Sequence, residues 1–250
     1  MTDPSDQRAP DSTPGSAAAS REALDDGART VTAEASSDWS IRRELVEAGA
    51  RLVAAGVSPG SSGNVSVRVD EAMLMSPTGA ALAALDPDQL SWVHLTDGRL
   101  AGPPPSKEVP FHQAFYARDG AFGAVVHVHA PAAVAASCLE PWSAVSAVPP
   151  LTPYFVMRVG QVPLIPYADP GDRSQADLIE GLAQPFRAVL LQNHGLVAAG
   201  PTLSEAVAVT LELEQTCDLW LRLGDQSFRC LRADAVRRLA DRYGSPWSQV

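Results

Sequence analysis

Residues 187–200, RAVLLQNHGLVAAG, form two apolar strand-like runs, RAVLLQ and GLVAAG, broken by Asn193, His194 and Gly195. Short apolar runs bounded by Gly and Asn are the mark of buried strands, and the break leaves the His194 imidazole at a tight turn. Upstream, residues 121–130, AFGAVVHVHA, make another Val-rich run that carries His127 and His129 two apart. On a strand both rings leave the same face, roughly 7 Å apart at their bases. Burying two such imidazoles without a shared partner leaves polar nitrogens unsatisfied, so the pair points to one ion held between them.

Glu108, in PSKE at the start of a helical pattern, adds a carboxylate to these three histidines. Three imidazoles and one carboxylate suit zinc best among the common ions, because neutral nitrogen donors disfavour magnesium and calcium. A carboxylate that can leave the metal makes the site open and catalytic rather than structural. The two remaining histidines do not join the set. His94 lies in SWVHL beside an expected hairpin, and His112 is four residues after Glu108 on the same helix face, where it packs or supports the site from behind.

The chain has 250 residues, 46% of them hydrophobic, enough for one substantial core. No stretch approaches the ~20 apolar residues that span a bilayer, and the first residues lack a charged-then-apolar leader pattern; the expectation is a cytoplasmic protein that does not engage membranes. Cys138, Cys217 and Cys230 are odd in number and lack C-x-x-C pairing, which argues for buried free thiols. Residues 1–37 are rich in Pro, Ser, Ala, Asp and Thr and are read as a disordered acidic tail. Through Asp38 the chain holds eight Asp or Glu against three Arg, a balance of −5 out of the chain's −10. The domain over residues 38–250 is thus only mildly acidic and has no basic stripe with interleaved aromatics, which excludes nucleic acid as a partner.

Beyond the tail the elements alternate. Residues 39–55 have helical spacing and stop at Gly56. NVSVRVDEAMLMS is a hairpin turning at Asp70 and Glu71, and SWVHLTDGRLAG another turning at Asp97 and Gly98. Ser106 caps a helix toward Arg118. AFGAVVHVHA is a strand, PAAVAASCL a short helix, QVPLIPY a strand and DRSQADLIEGLA a helix. After the two strands of residues 187–200 comes a long helix over 203–223, capped by Thr202, then a final amphipathic stretch. Early hairpins with helices interspersed predict a mostly antiparallel sheet covered on both sides by helices. Three polar loops, Ser61-Ser62-Gly63-Asn64, Ser76-Pro77-Thr78-Gly79 and Ser106-Lys107, offer hydroxyls, amides and backbone N–H groups that suit a phosphate; each taken alone reads as an ordinary turn or cap.

Taken in order, SSGNVSVR, SPTG, PSKE, HVH and NHG resemble the class II aldolase and adducin family over roughly residues 40–225. The resemblance implies a three-layer α/β/α fold with a central antiparallel sheet, one Zn²⁺ or other divalent ion per subunit, and a homotetramer with active sites at subunit interfaces. It implies that His127, His129 and His194 hold the metal, that Glu108 is both a ligand and the acid/base, and that Asn64, Thr78, Gly79, Ser106 and Lys107 surround the phosphate of a sugar-phosphate substrate. Lys107 stands where the fuculose phosphate aldolase has a second serine. With the run PPLTPYFVMRVGQVPLIPYADPGD, preceded by SCLEPW, it makes the chain resemble the branch that decarboxylates 3-oxo-tetronate 4-phosphates. Tyr154 matches the proton-donating tyrosine that the aldolase contributes across a subunit interface; read without the resemblance, it is an aromatic packed under a Pro-rich loop.

That branch implies a lyase acting on a phosphorylated sugar acid. Loss of carbon dioxide from a β-keto acid leaves an electron pair that becomes an enediolate, which a Lewis-acidic ion stabilises, and protonation by Glu108 or Tyr154 gives dihydroxyacetone phosphate. The alternatives are an aldolase, a pentulose phosphate epimerase or a methylthioribulose phosphate dehydratase of the same family, a non-catalytic adducin-like binding module, and a generic metal-stabilised fold. The binding module predicts missing metal ligands, and the generic fold leaves the phosphate loops unexplained.

Overall fold

Turn residues divide the chain into short strands whose alternating side chains feed two separate cores. The structure, a computed structural model, describes residues 38–58, 60–169 and 172–248; the tail expected over residues 1–37 lies outside them. The first helix, α1, covers residues 38–54, and Ile41–Val250 make one folded unit. Then come β1 (Asn64–Val69), β2 (Ala72–Met75), β3 (Ser91–His94), β4 (Leu100–Ala101), α2 (Val109–Arg118), β5 (Ala124–Val128), α3 (Pro131–Ser137) and α4 (Pro153–Arg158). The chain continues with β6 (Leu164–Ile165), α5 (Ser174–Gly181), β7 (Ala188–Leu191), β8 (Gly195–Gly200), α6 (Leu203–Leu223) and α7 (Ala233–Tyr243).

The strands form one sheet in the order β4-β3-β2-β1-β5-β8-β7-β6. All pairings are antiparallel except β6 with β7. Side chains alternate across the pleat, so Val65, Leu74, Val126, Leu196 and Ala198 enter a core with Leu45 and Leu52 of α1, Ala133 of α3 and Val207 and Leu213 of α6. Met73, Met75, Val125, Val197 and Ala199 enter the opposite core, with Phe111 and Phe115 of α2 and Ile179 of α5. The three-layer arrangement expected from the sequence is therefore present.

Several local expectations need correction. QVPLIPY yields only the two-residue β6, because Pro163 and Pro166 flank it and neither has an N–H to donate to a ladder. The Pro-rich segment around Tyr154 contains a helix, α4, whose N-cap Thr152 accepts from the Phe155 N–H and whose first residue is Pro153, the position proline favours. Ser106 does not cap α2: its hydroxyl accepts the Glu108 N–H at 3.2 Å, closing the turn before the helix, and Glu108 occupies the N-cap position. Of the cysteines, all free, only Cys217 is buried, whereas Cys138 is exposed.

Behind the sheet, α3 depends on a carboxylate from α6. Glu214 accepts the Ala132 and Ala133 N–H groups at 2.8 and 2.7 Å, satisfying two orphan donors at the start of a helix whose own N-cap, Ala130, offers no side-chain acceptor. Because α3 starts two residues after His129, this cap anchors the chain just beyond the H-x-H pair. Glu214→Ala leaves both N–H groups half-buried without an acceptor and is expected to lower stability by about 1–3 kcal/mol, read as a fall in the urea midpoint at unchanged m-value.

Candidate metal centre and active site

His127 is the fixed point of the site. It lies on β5 opposite Asn64 of β1 and Val197 of β8 and is fully buried. Its Nδ1 is 2.8 Å from the Leu196 carbonyl oxygen. A carbonyl only accepts, so Nδ1 carries the proton and Nε2 presents a bare lone pair. His129 lies one residue past the strand end, on the same face, with its Nε2 at 3.1 Å from that of His127.

The β7–β8 turn brings the third imidazole. The His194 N–H donates to the Leu191 carbonyl at 3.0 Å, and Asn193 adopts a left-handed φ of 57°, which Asn tolerates better than most residues. Gly195 lets this turn approach the end of β5, since a Cβ there would stand 2.6 Å from the Val128 carbonyl oxygen. As a result His194 Nε2 lies 3.0 Å from His129 Nε2. From α2, Glu108 Oε2 reaches within 3.3 Å of His127 Nε2 and Oε1 within 3.3 Å of His194 Nε2.

The four ligating atoms all lie within 4.8 Å of one another. Ligands ~2.0–2.1 Å from a tetrahedral ion stand about 3.3 Å apart, close to the separations observed. Facing lone pairs repel unless a cation lies between them, so the donor set fits a divalent metal. Phe111 walls the site, its ring edge-on to His127 and His194 at centroid distances of 5.8 and 6.2 Å.

Charge and burial act in opposite directions on Glu108. Burial works to raise its pKa, but when no metal is bound the charge and hydrogen bond of a protonated His127, with hydrogen bonds from a protonated His194 and from Asn64, more than offset it and hold the carboxyl well below the usual range. Desolvation, joined by the charges of His127 and His194, pushes His129 down to about 4. Glu108 and His129 thus favour the states a metal needs, carboxylate and neutral imidazole.

Of the residues assigned to phosphate by resemblance, the structure gathers the loops that carry them. Pro77 bridges to Pro105, and the Thr78 N–H donates to the Pro104 carbonyl at 3.0 Å. This brings Thr78 and Gly79 beside Ser106 and Lys107; Thr78, Gly79 and Lys107 are exposed. Asn64 is different. It is buried, and its Nδ2 group donates to Glu108 Oε2 at 2.6 Å and to Ser106 Oγ at 3.0 Å, so it would have to release one of them to reach a phosphate.

Tyr154 is 63% exposed and lies far from this chain's own cluster. It lines a groove of about 1030 Å³ with Met157, Arg158, Gly200, Pro201 and Ser204. That groove is at the Gly200 end of β8, whereas His194 precedes its other end, roughly 17 Å away at the usual rise per residue.

His112, read from the sequence as support, is fully buried and bonded to Asn64 Oδ1 and Ser66 Oγ. Burial is the main cause that lowers its pKa to about 3. Phe111, Ser66 and Tyr116 were missed. The available signal was spacing: Ser66 shares a strand face with Asn64, and Phe111 and Tyr116 follow Glu108 and His112 at helical intervals.

Residues 43–221 match the family described as the class II aldolase and adducin N-terminal domain. The chain belongs to the class II aldolase and adducin family. A 3-oxo-tetronate 4-phosphate decarboxylase of Pectobacterium atrosepticum is 42% identical over 209 residues, 83% of this chain and 96% of the relative. The L-fuculose phosphate aldolase of Escherichia coli is 30% identical over 183 residues, 72% of this chain and 82% of that one. Among solved structures, YgbL from Klebsiella pneumoniae superimposes with a TM-score of 0.77 at 44% identity, covering 81% of this chain and 98% of that one. Like these aldolase-family folds, the chain is built around a central sheet with helices on both faces. Among the described residues no helix is long and apolar enough to cross a membrane.

His127→Ala and His194→Ala are each expected to lose most bound metal on dialysis, measured by elemental analysis of the purified protein. His94→Ala is expected to keep it, because His94 pairs with Asp97 and Thr96 in the β3–β4 hairpin.

Proposed function

We propose that the protein decarboxylates a 3-oxo-tetronate 4-phosphate, with zinc held by Glu108, His127, His129 and His194, and releases carbon dioxide and dihydroxyacetone phosphate. The observation that carries this reading is that relatives named for that activity are 37–42% identical over four-fifths of the chain or more, against 30% for the fuculose phosphate aldolase. The intact metal cluster argues against an adducin-like module that binds without catalysis.

In the reaction the C1–C2 bond breaks and its electron pair passes to C2, conjugated with the C3 carbonyl. A divalent ion bound in the cluster supplies Lewis acidity where negative charge develops on the substrate oxygens. The chain's own residues do the rest. The loops of Thr78–Gly79 and Ser106–Lys107 anchor the phosphate, and the Lys107 ammonium adds a full charge for the phosphate or the departing carboxylate. Glu108, held beside the reacting carbons by Asn64, moves the proton that must reach C2. Tyr154 cannot reach this chain's own cluster, so a role as proton donor requires a second copy of the chain, consistent with a homo-oligomer such as the tetramer the family resemblance implies. A cytoplasmic location accords with a phosphorylated sugar-acid substrate.

The direct test is to incubate the zinc-loaded protein with D- and L-3-oxo-tetronate 4-phosphates and follow dihydroxyacetone phosphate and carbon dioxide together. Formation of an aldehyde and dihydroxyacetone phosphate from a ketose phosphate alone would assign the aldolase reading instead.

Two predictions separate the roles. Glu108→Gln is expected to cut kcat at least ~100-fold while substrate still binds, and an equimolar mixture of Glu108→Gln and Tyr154→Phe protein, after subunit exchange, should regain activity that neither has alone. Lys107→Ser is expected to raise KM for the 3-oxo acid phosphate by an order of magnitude or more, on the scale of ~1.5–3 kcal/mol for a hydrogen bond to a charged group, with metal content unchanged.

A further inference from the structure

Behind the metal cluster a line of buried side chains runs through the layer between the sheet and α2 and ends on Glu108. Tyr116 Oη and Ser66 Oγ are 2.7 Å apart, as are Ser66 Oγ and His112 Nδ1. His112 Nε2 and Asn64 Oδ1 are 2.5 Å apart, and Asn64 Nδ2 and Glu108 Oε2 are 2.6 Å apart. Tyr116, Ser66, His112 and Asn64 are all at most 3% exposed, so no solvent competes for these bonds.

The chemistry of the end groups gives this line one direction. A carboxylate only accepts, and a 2.6 Å contact between two acceptors is repulsive, so the NH₂ end of Asn64 must face Glu108. Its Oδ1 then faces His112, and Nε2 must carry the ring proton. In a neutral imidazole Nδ1 is then an acceptor, so the Ser66 hydroxyl donates to it and takes the Tyr116 proton in turn. The Tyr116 oxygen is also hydrogen-bonded by the Val125 backbone, which leaves the phenol proton for Ser66. Reversing any one bond would turn an acceptor toward the Glu108 carboxylate or leave a buried polar atom unpaired, at a cost of about 1–3 kcal/mol.

We infer that His112 is a positioning residue: its Nε2–H tautomer, selected by Ser66 and Tyr116, locks Asn64 with its amide N–H on Glu108 and so holds that carboxylate toward the three histidines. The inference rests on Glu108 as the functional carboxylate and is independent of which sugar phosphate is the substrate. The fold supplies the parts by simple periodicity, Asn64 and Ser66 on one face of β1, and Glu108 at the N-cap of α2 with His112 and Tyr116 following at four-residue intervals.

Neutron diffraction from deuterium-exchanged crystals of the zinc-loaded protein tests the direction of the bonds. The expected result is deuterium on His112 Nε2 and on the Asn64 nitrogen facing Glu108; deuterium on His112 Nδ1 alone overturns the inference. Zinc affinity of the intact protein, measured by chelator competition, tests the consequence without any substrate. His112→Leu, which keeps the volume but has no donor, is expected to bind zinc about tenfold more weakly, and His112→Gln, whose amide can place an N–H near the same point, should recover most of that loss. In a Glu108→Ala background, His112→Leu should cause no further loss, because its effect passes through Glu108. Losses that multiply in the double variant would show that His112 acts by packing alone. Should His112→Leu fail to fold, Ser66→Ala serves in its place, with the same non-additivity expected against Glu108→Ala. Failure of the decarboxylase assay would leave each of these readings intact.

Discussion

Three imidazole nitrogens and a carboxylate pressed within 4.8 Å of one another are the constraint on which the rest of this structure depends. Without a cation the arrangement brings lone pair against lone pair inside a protein, and burial makes such repulsion more costly. The sheet exists around that demand. The β1–β5–β8 register sets Asn64, His127 and Val197 side by side, the Leu196 carbonyl fixes the His127 tautomer, and the Asn193–Gly195 turn returns His194 to the end of β5.

The two faces of the sheet have divided the work. The face toward α1, α3 and α6 packs the larger apolar cluster against the strands and supplies much of the burial that stabilises the fold. On the face toward α2 the apolar residues share space with Asn64, Ser66, His112 and Tyr116. A polar line inside a core is tolerated only when every member is paired, and here each is paired in a way that ends on Glu108. The layer that carries this polar line is thus the one that positions Glu108.

Membership in the class II aldolase and adducin family accounts for the metal cluster and the three-layer fold, and the family accommodates several reactions on that frame. Lys107 and the outward Tyr154 of α4 lie at the rim, both exposed. Function in such a fold resides in the groups grafted around a shared centre.

The sequence by itself determined the elements with strong periodicity and clear punctuation: both hairpins, the Thr202-capped helix over 203–223, and the H-x-H strand. It also singled out Glu108, His127, His129 and His194, which the fold brings together, because residue types that must be satisfied when buried announce themselves in apolar runs, and the order of motifs resembled one family. Tertiary structure alone decided where weak local signals met. Pro163 and Pro166 cut an apolar run down to β6, and Thr152 with Pro153 opened a helix where prolines suggested a loop. Asn64 had the composition of a phosphate loop, yet its amide lies on Glu108, since only the pairing of β1 with β5 and the packing of α2 place those groups together. Ser66 and Tyr116 carry no motif of their own; hydrogen-bond direction is a property of neighbours in space, and the chain separates those neighbours by dozens of residues.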